Sequence, residues 1–403
     1  MNAAFCINLY VYLFSLYMKK LTTIFITLAL TASIFGAPAQ ELDLTLAQDS
    51  INSFDTKLYE ALCTKEGNVN YSAISIYSLL YALQKGAQGQ TQNQINNVLT
   101  IEPSTEIDEQ LKSVITKTQN MTNSLWYKNS LTIKGDYNQF TKDYDFTIKP
   151  VNFYNAIGVK NEINSYISEK TEKLIENFLS DPLPVDTQLV LLNTLYFHQK
   201  WRNEFDEDMT YKLDFYKTAA STKKVDMMHK TAYYQYYQTA DCQVLELPYE
   251  DKRYSMIVVL PRTTDYNFEN LKVEEVLNDQ QQKKSSKRVQ LSFPKFDITT
   301  GYDLIPVLKQ MGMTDAFNRA TADFSNIFDS DQRIYVDAVV HKVRILVNER
   351  ETKAAAVTMA SARATSAMPE TPIIFNADHP FAYVIRDNEL GINLFTGIVR
   401  EPE

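Results

Sequence analysis

Cysteine is scarce in this sequence, with three among 403 residues. One of them, Cys6, lies in the apolar N-terminal region, so the rest of the chain contains only Cys63 and Cys242. Two cysteines so far apart do not form the disulfide framework of a small secreted protein. We predict that both are buried thiols and that a hydrophobic core holds the fold, because 45% of the residues are hydrophobic.

The motifs of common catalytic sites are also missing. The chain has four histidines, His198, His229, His341 and His379, and none belongs to an HExxH zinc motif. No G-x-S-x-G segment marks a hydrolase nucleophile, and "GAQGQT" from Gly86 lacks the lysine and the spacing of a phosphate loop. We therefore predict a protein that is not an enzyme and needs no metal or cofactor. A hydrolase whose triad is assembled from distant residues stays open as an alternative.

Basic residues are in the minority, with 40 Lys and Arg against 49 Asp and Glu and a net charge of −9. This balance argues against nucleic acid or an anionic membrane as the main partner. The one dense basic cluster, "KKSSKR" at 283–288, has the composition of a solvated loop.

The N-terminal region has the pattern of an export signal. From Met18 the chain reads "MKKLTTIFITLALTASIFGAPAQ", with two lysines before an apolar run and small residues up to Ala39. We predict a signal peptide over 18–39, an upstream extension over 1–17, and a single exported domain over 40–403, either secreted or periplasmic. An uncleaved membrane anchor is the alternative. No cysteine follows the apolar run closely, so a lipid anchor is not supported.

Hydrophobic periodicity predicts an α+β fold. Apolar residues recur at helical spacing over 42–62, 75–99 with a break near Gly86 and Gly89, 160–179 and 303–313. Strand-like runs occupy 188–197, 254–261, 288–298, 382–387 and 393–399. Helices dominate the first half and strands the second, which favours large mixed or antiparallel sheets.

Several long segments, in order, resemble motifs of the serpins, the loop-inserting protease inhibitors. They are "LLNTLYFHQKWRNEF" from Leu191, "ELPYEDKRYSMIVVLP" from Glu246, "VQLSFPKFDITTGYDLIPVLKQMGMTDAF" with "ADFSNI" from Val289, "VNERETKAAA" from Val347 and "FNADHPFAYVIRDNELGINLFTGIVREP" from Phe375. The resemblance covers the chain from about residue 48 to its end. It implies one domain of three β-sheets with eight or nine helices and an exposed reactive-centre loop. The hinge and this loop together span 348–370.

The resemblance also implies which residues control the central sheet. A polar cluster beneath this sheet holds two strands closed until they part, and it corresponds to Ser72, Ser75, Asn193 and His341. Trp201 corresponds to the point where those strands first separate, and Lys295 and Glu349 match an ion pair at the hinge. Nothing in the chain resembles the basic helix that binds heparin in some members of the family.

Three positions depart from the family pattern. The family prefers proline at Ala73, glycine at Glu351 and an acidic residue at Lys353. Glu351 matters most, because a glycine at this position lets the hinge bend more freely than a glutamate does. This departure keeps open the alternative of a non-inhibitory serpin that acts as a chaperone, a carrier or a simple protease substrate.

The loop has the side-chain alternation of a strand that buries one face. If it becomes a strand, the inward-facing residues are Thr352, Ala354, Ala356, Thr358, Ala360, Ala362 and Ala364, all small and uncharged. The outward-facing set contains both charges, on Lys353 and Arg363. An alanine-rich surface helix is the alternative, but a helical period would not separate charged from small residues in this way.

The function that the resemblance implies is suicide inhibition of serine, or also cysteine, endopeptidases by a monomer. Family loop length, counted from Glu349, places the cleaved bond between Thr365 and Ser366. A small threonine suits an elastase-like or subtilisin-like protease. The alternative bond, between Arg363 and Ala364, suits a trypsin-like pocket with a buried carboxylate.

Overall fold

The computed structural model describes residues 42–350 and 371–402. The predicted signal peptide and the inserting segment of the loop therefore lie outside the described residues. Eight α-helices occur in the described part: α1 (Thr45–Leu62), α2 (Ala73–Gly86), α3 (Gly89–Leu99), α4 (Thr105–Lys117), α5 (Gly135–Asp143), α6 (Ala156–Lys170), α7 (Val273–Lys283) and α8 (Ile305–Gln310).

The same residues contain sixteen strands in three sheets. In chain order, the strands are β1 (Val69–Tyr71), β2 (Met121–Lys128), β3 (Thr132–Ile133), β4 (Thr147–Val151), β5 (Leu189–Tyr196), β6 (Thr210–Thr218), β7 (Ser221–Gln238), β8 (Cys242–Pro248), β9 (Tyr254–Pro261), β10 (Ser285–Pro294), β11 (Phe296–Asp303), β12 (Phe328–Asp329), β13 (Ala338–Val347), β14 (Ile373–Asn376), β15 (Phe381–Asp387) and β16 (Ile392–Val399).

The largest sheet has nine strands in the order β1-β16-β15-β9-β8-β7-β10-β14, with β6 also paired to β7. The central sheet has five strands in the order β11-β13-β5-β2-β4, and β12 and β3 form a third, two-stranded sheet. Three sheets and eight helices confirm the predicted α+β fold class.

Helix α2 lies at the centre of the main core. Every residue of this helix except Lys85 is buried, and it packs against β16 of the nine-stranded sheet and against β2 and β5 of the central sheet. A helix that is apolar on all sides is stable only when protein surrounds it. The opposite face of the central sheet is covered by α6, through Val159, Ile163 and Ile167.

Because both of its faces are covered, the central sheet can contain continuous apolar strands. Strand β5 is buried at every position from Leu189 to Leu195, with no alternation between a buried and a solvated face. This pattern is typical of strands between two layers of protein. The predicted strand over 188–197 is therefore confirmed.

Two helix predictions were wrong in their bounds. Helix α6 ends at Lys170 rather than continuing to 179, because Glu172 and Lys173 adopt positive φ angles of 50° and 65°. In α1 the predicted apolar face included Leu42 and Leu46, but both are 43% exposed, and the buried face of the helix begins at Ala47.

The basic segment "KKSSKR" was wrongly predicted to be a loop. Lys283 is the last residue of α7, and Ser285 begins β10, whose first four residues pair with β7. The strand predicted over 288–298 is two strands, since β10 ends at Pro294 and β11 begins at Phe296.

The prediction for cysteine is confirmed, because Cys63 and Cys242 are both free and buried. Among the described helices, none has the length and apolarity needed to cross a bilayer.

Candidate functional site at the seam of the central sheet

The candidate site lies where β5 and β13 run side by side in the central sheet. These two strands are parallel, and their register runs from Ala338 opposite Val190 to Arg344 opposite Tyr196. We call this shared edge the seam. Above Arg344, β13 continues to Val347 and pairs there with β11 alone. The pairing of the two strands therefore ends with Tyr196 and Arg344, at the end of the sheet from which the loop starts.

Asn193 is the centre of a buried polar cluster on the core face of the seam. Its Oδ1 accepts hydrogen bonds from Ser75 Oγ at 2.7 Å and from His341 Nδ1 at 2.6 Å. Its Nδ2 donates to the carbonyl of Ser75 at 3.0 Å and to Oδ1 of Asn123. All four hydrogen-bonding positions of the amide are used, so the cluster joins β5, β13 and β2 to helix α2.

His341 is held neutral in this cluster. Its Nε2 accepts a hydrogen bond from the backbone N–H of Ser72 at 3.1 Å, so the ring proton lies on Nδ1 and is donated to Asn193. Complete burial lowers the pKa of His341 to about 3. A second proton, on Nε2, would point at the Ser72 N–H and would be buried as an unpaired charge.

The N-terminus of α2 supplies the other side of the cluster. Ser72 is the N-cap residue, and its Oγ accepts a hydrogen bond from the Ser75 N–H at 3.3 Å. Ala73, where the family prefers proline, is the first helical residue. Proline is also well suited to this position, because its fixed φ angle matches the first turn of a helix. The departure at Ala73 therefore requires no change in the cap.

The structure brings all four predicted cluster residues together and adds two that the sequence analysis missed. Asn123 of β2 lies opposite Asn193 in the register and donates from Nδ2 to Ser78 Oγ at 2.7 Å. The missed signal was the spacing of Ser72, Ser75 and Ser78, which lie on one face of a helix. A buried asparagine in a neighbouring strand is the matching partner on the sheet.

Trp201 lies at the upper end of the seam. Its Nε1 donates a hydrogen bond to the carbonyl of Asn348 at 2.9 Å, and its ring stacks on Tyr249 with ring centroids 4.5 Å apart. The N–H of Phe205 donates to the carbonyl of Glu349 at 2.8 Å. These contacts hold the backbone that leaves β13 just before the loop.

The hinge ion pair is half-buried. Lys295 Nζ lies 2.9 Å from Glu349 Oε2, and the side chain of Glu349 is 8% exposed against 36% for Lys295. Burial, the largest single effect, would raise the pKa of Glu349, but the hydrogen bonds to its carboxylate, that from Lys295 first among them, and the positive charge of Lys295 together lower the pKa. Breaking the pair would leave a buried carboxylate without its partner, so this contact stabilises the hinge more than a surface ion pair would.

The remaining loop residues of the prediction lie outside the described residues. They are Glu351, Thr352, Ala354, Ala356, Thr358, Ala360, Ala362, Arg363, Ala364, Thr365 and Ser366. Their roles as hinge, inserting face and cleaved bond stay predictions, as does the alternative of an alanine-rich helix.

One serine–histidine contact bears on the alternative of a hydrolase. Ser292 Oγ lies 3.1 Å from His229 Nδ1, and the Ser292 hydroxyl also donates to Asn376 Oδ1 at 2.9 Å. A triad would need an acidic residue that orients the histidine, and in the described part of the chain no carboxylate bonds to His229. The same residues contain no cluster of His, Cys, Asp or Glu that could hold a metal ion.

Comparison with known proteins agrees with this geometry. A family model described as Serpin (serine protease inhibitor) matches residues 49–402. The chain is 32% identical over 375 residues to an uncharacterized serpin-like protein of Methanosarcina acetivorans, and 87% of each chain is covered. It is 30% identical over 372 residues to the leukocyte elastase inhibitor of Equus caballus, covering 87% of this chain and 97% of that one. The solved structure of human thyroxine-binding globulin superposes with a TM-score of 0.79 at 26% identity, covering 89% of this chain and 100% of that one.

We expect the buried His341 to make folding stability depend on pH. In the unfolded chain this histidine takes up a proton below its ordinary pKa of 6.5, whereas the folded ring stays neutral down to about 3. The unfolded state then binds more protons in this window, so the free energy of unfolding falls as the pH falls through it.

A His341→Gln variant lacks this contribution. Its deficit in the free energy of unfolding relative to wild type should therefore be largest near about pH 7 and shrink towards about pH 4. Urea unfolding at several pH values measures the difference, and a deficit that stays constant with pH would show that His341 is not buried as the neutral form.

Proposed function

The chain belongs to the serpin family, and from this premise we propose that it inhibits serine endopeptidases by inserting its own cleaved loop into the seam of the central sheet. The family is described as serine protease inhibitors, and a relative that is 30% identical is named as an inhibitor of leukocyte elastase. The observation that carries the proposal is the parallel pairing of β5 with β13.

The strand directions at the seam favour insertion of the loop. The loop begins after β13 ends at Val347, so a loop that folds back along the seam runs antiparallel to β13. Because β5 is parallel to β13, the same loop also runs antiparallel to β5. Insertion would replace one parallel interface with two antiparallel ones, and parallel pairing is the less stable of the two per residue.

The gain in hydrogen bonding is large enough to do mechanical work. About a dozen new ladder bonds at roughly 1 kcal/mol each, with the burial of apolar side chains, give a driving force on the order of ten kcal/mol. Insertion of a loop by serpins is a known transition of the family and one that releases stored strain. Full insertion of the uncut loop would require β14, which begins at Ile373 directly after the loop, to leave its pairing with β10.

The trapping step follows from the order of bond breaking. The serine hydroxyl of the protease attacks the carbonyl carbon of Thr365, an ester forms, and the amine of Ser366 leaves with the proton that the catalytic histidine returns. The segment up to Thr365 is then free at one end but covalently bound to the protease. Insertion would carry the protease along the molecule and distort its active site before water hydrolyses the ester. The inhibitor is consumed in the process, which is not catalysis.

The core face of the seam explains why the inward-facing residues must be small. This face is formed by fully buried residues, among them Leu191, Asn193 and Leu195 of β5 and His341 and Val343 of β13. An inserted strand would point its inward side chains at α2, with no solvent to receive a charge. The run of alanine and threonine from Thr352 to Ala364 suits such a face.

We propose an elastase-like or subtilisin-like target cut between Thr365 and Ser366, with a trypsin-like target cut between Arg363 and Ala364 as the alternative. The name of the Equus caballus relative supports the first. The mass of the released C-terminal peptide distinguishes the two bonds, because it begins either at Ser366 or at Ala364. One monomer would trap one protease.

A non-inhibitory role is the second candidate. Glu351 stands at a hinge position where the family prefers glycine, and a residue with a Cβ restricts the backbone angles there. The similar structure of thyroxine-binding globulin belongs to a protein named for binding a small molecule. In this role the loop would be cut by a protease without trapping it.

Substitution on the inward face separates these possibilities. We expect Ala354→Arg to be cleaved at the wild-type rate and to form no covalent complex, because insertion would bury an unpaired charge at a cost of several kcal/mol. The matched control is Ala355→Arg, which places the same side chain on the outward face and should retain complex formation.

Both variants are incubated with an elastase and separated on a denaturing gel. A covalent complex formed by Ala354→Arg would contradict the facing of the loop. Cleavage of the wild-type protein without a complex would favour the non-inhibitory role.

Thermal unfolding tests insertion without a trapped protease. We expect the wild-type protein, cut in its loop, to unfold more than about 10 °C above the intact protein, since insertion adds on the order of ten kcal/mol of stability. The cut Ala354→Arg variant should show a much smaller increase. If cutting leaves the unfolding temperature of the wild-type protein unchanged, the loop does not insert.

We also propose that the protein is exported, which its N-terminal sequence supports. Mass spectrometry of protein recovered outside the cell or from the periplasm should find a mature chain that begins at Gln40. A cell-bound chain that retains 18–39 would favour the membrane anchor instead.

A further inference from the structure

In the described part of the chain, strand β6 forms an open edge of the nine-stranded sheet. Among these residues it pairs with β7 alone, and its residues Tyr211 and Leu213 are 49% and 37% exposed. The edge of a sheet presents a row of backbone groups that can pair with another strand. The stretch 210–214 is here called the β6 edge.

The backbone groups of Lys212 and Asp214 point out of this edge. The carbonyl of Asp226, which lies opposite Lys212 in β7, accepts a hydrogen bond from the N–H of Lys295 at 2.9 Å. This carbonyl therefore points away from β6, and Asp226 and Lys212 exchange no backbone bonds. Such pairs alternate with bonded pairs in an antiparallel ladder, so the N–H and C=O groups of both Lys212 and Asp214 point outwards.

The edge is open over a short stretch. The N–H of Tyr216, which points outwards by the same alternation, donates a hydrogen bond to the carbonyl of Asp378 at 2.7 Å. The segment before β15 therefore closes the edge at this end. A strand that docks on β6 has its best contact around Leu213, between the two outward-pointing residues.

The charges of the β6 edge are self-complementary. A second copy of the chain that pairs antiparallel about Leu213 places its Asp214 opposite Lys212, and its Lys212 opposite Asp214. Both pairs consist of residues whose backbone groups point outwards, so each pair can exchange two backbone hydrogen bonds. Each pair also brings together side chains of opposite charge, which stabilises neighbouring strands.

Charge selects this register over its neighbours. The two adjacent registers that also bring outward-pointing groups together place Lys212 opposite Lys212 of the second copy, or Asp214 opposite Asp214. Like charges directly opposite each other destabilise a strand pair. The register about Leu213 is therefore the one that the sequence of β6 favours.

The ion pairs within each chain extend the same pattern. Lys212 Nζ lies 3.0 Å from Asp226 Oδ1, and Lys224 Nζ lies 3.0 Å from Asp214 Oδ2. In the paired form, positive and negative side chains therefore alternate across all four strands, from β7 of one copy to β7 of the other. On the opposite face, the exposed Leu213 of one copy meets Leu213 of the other, because successive side chains alternate between the faces of a strand.

We propose that the β6 edge is a self-association surface, through which two copies of this chain form a symmetric dimer. A two-fold contact requires one patch that is complementary to itself, and the segment Lys212-Leu213-Asp214 has this property. The dimer departs from the monomer that the family resemblance implied. Because β6 belongs to the nine-stranded sheet and the seam to the central sheet, each protomer keeps its own seam and would still trap one protease.

Sedimentation of the purified protein over a concentration series tests the dimer. The open stretch is short, so we expect a reversible dimer that dissociates on dilution. Between about 1 and about 100 µM, the range of weak protein contacts, the average mass should rise from that of a monomer towards that of a dimer. A monomer over the whole range would overturn the proposal.

Charge reversal tests the register. Lys212→Glu places acidic residues opposite each other across the dimer, and Asp214→Lys places basic residues opposite each other. Each variant alone should therefore dimerise at least about tenfold more weakly than wild type. Mixed in equal amounts, the two variants should form a heterodimer, because the new glutamate then faces the new lysine and the two remaining native charges face each other.

The mixture also separates the edge contact from damage to β6. Each variant loses one ion pair with β7, and it does so both alone and in the mixture. Native mass spectrometry of the two variants, carrying tags of different mass, measures the heterodimer. If the mixed variants do not associate, the proposed pairing is wrong.

Lys283→Glu is the matched control. Lys283 is also an exposed lysine in an ion pair, 2.7 Å from Asp279, but it lies on α7. This variant has the same net charge as Lys212→Glu and should dimerise like wild type. Dimerisation of Lys212→Glu at wild-type strength would show that the copies meet through another surface, and would overturn the assignment to the β6 edge.

Discussion

The parallel pair formed by β5 and β13 is the constraint on which the rest of the structure depends. Two parallel strands need a long connection between them, and here some 140 residues separate them. Their shared edge is therefore built from distant parts of the chain. It is also the one interface in the central sheet that a segment following β13 can enter with antiparallel bonds on both sides. The parallel pairing of β5 with β13 is stable, but antiparallel pairing of each strand with an inserted loop would be more stable.

The hydrogen bonds that hold the seam closed can be broken by a small movement of the strands. An apolar core packed across β5 and β13 would resist separation through the whole buried area, and its loss would be continuous. The hydrogen bonds of His341, Asn193 and Ser75 instead depend on short distances and defined angles. Once the strands part by a fraction of a strand spacing, these bonds are lost together. The buried polar cluster therefore makes the change from the closed to the open sheet abrupt.

The sequence alone predicted the elements that can be recognised from a local pattern of residues. The largely apolar β5, the break between α2 and α3 at Gly86 and Gly89, and the buried cysteines all follow from local patterns. The resemblance to a family supplied the cluster residues, since nothing local marks His341 as a partner of Asn193. Asn123 was missed because its role arises from contacts with residues far along the chain, which no local pattern could reveal.

The two faces of the seam divide the control of opening between different kinds of interaction. On the core face, a neutral network is sealed from solvent and insensitive to ionic strength. On the other face, Lys342 and Arg344 donate hydrogen bonds to backbone carbonyls of the partly exposed segment 171–188, which joins α6 to β5, and burial lowers the pKa of Lys342. Charge-assisted bonds of this kind can exchange with water as they break, so their loss need not expose an unpaired group. The core face therefore holds the seam with bonds that water cannot replace, whereas the opposite face holds it with bonds that water can replace.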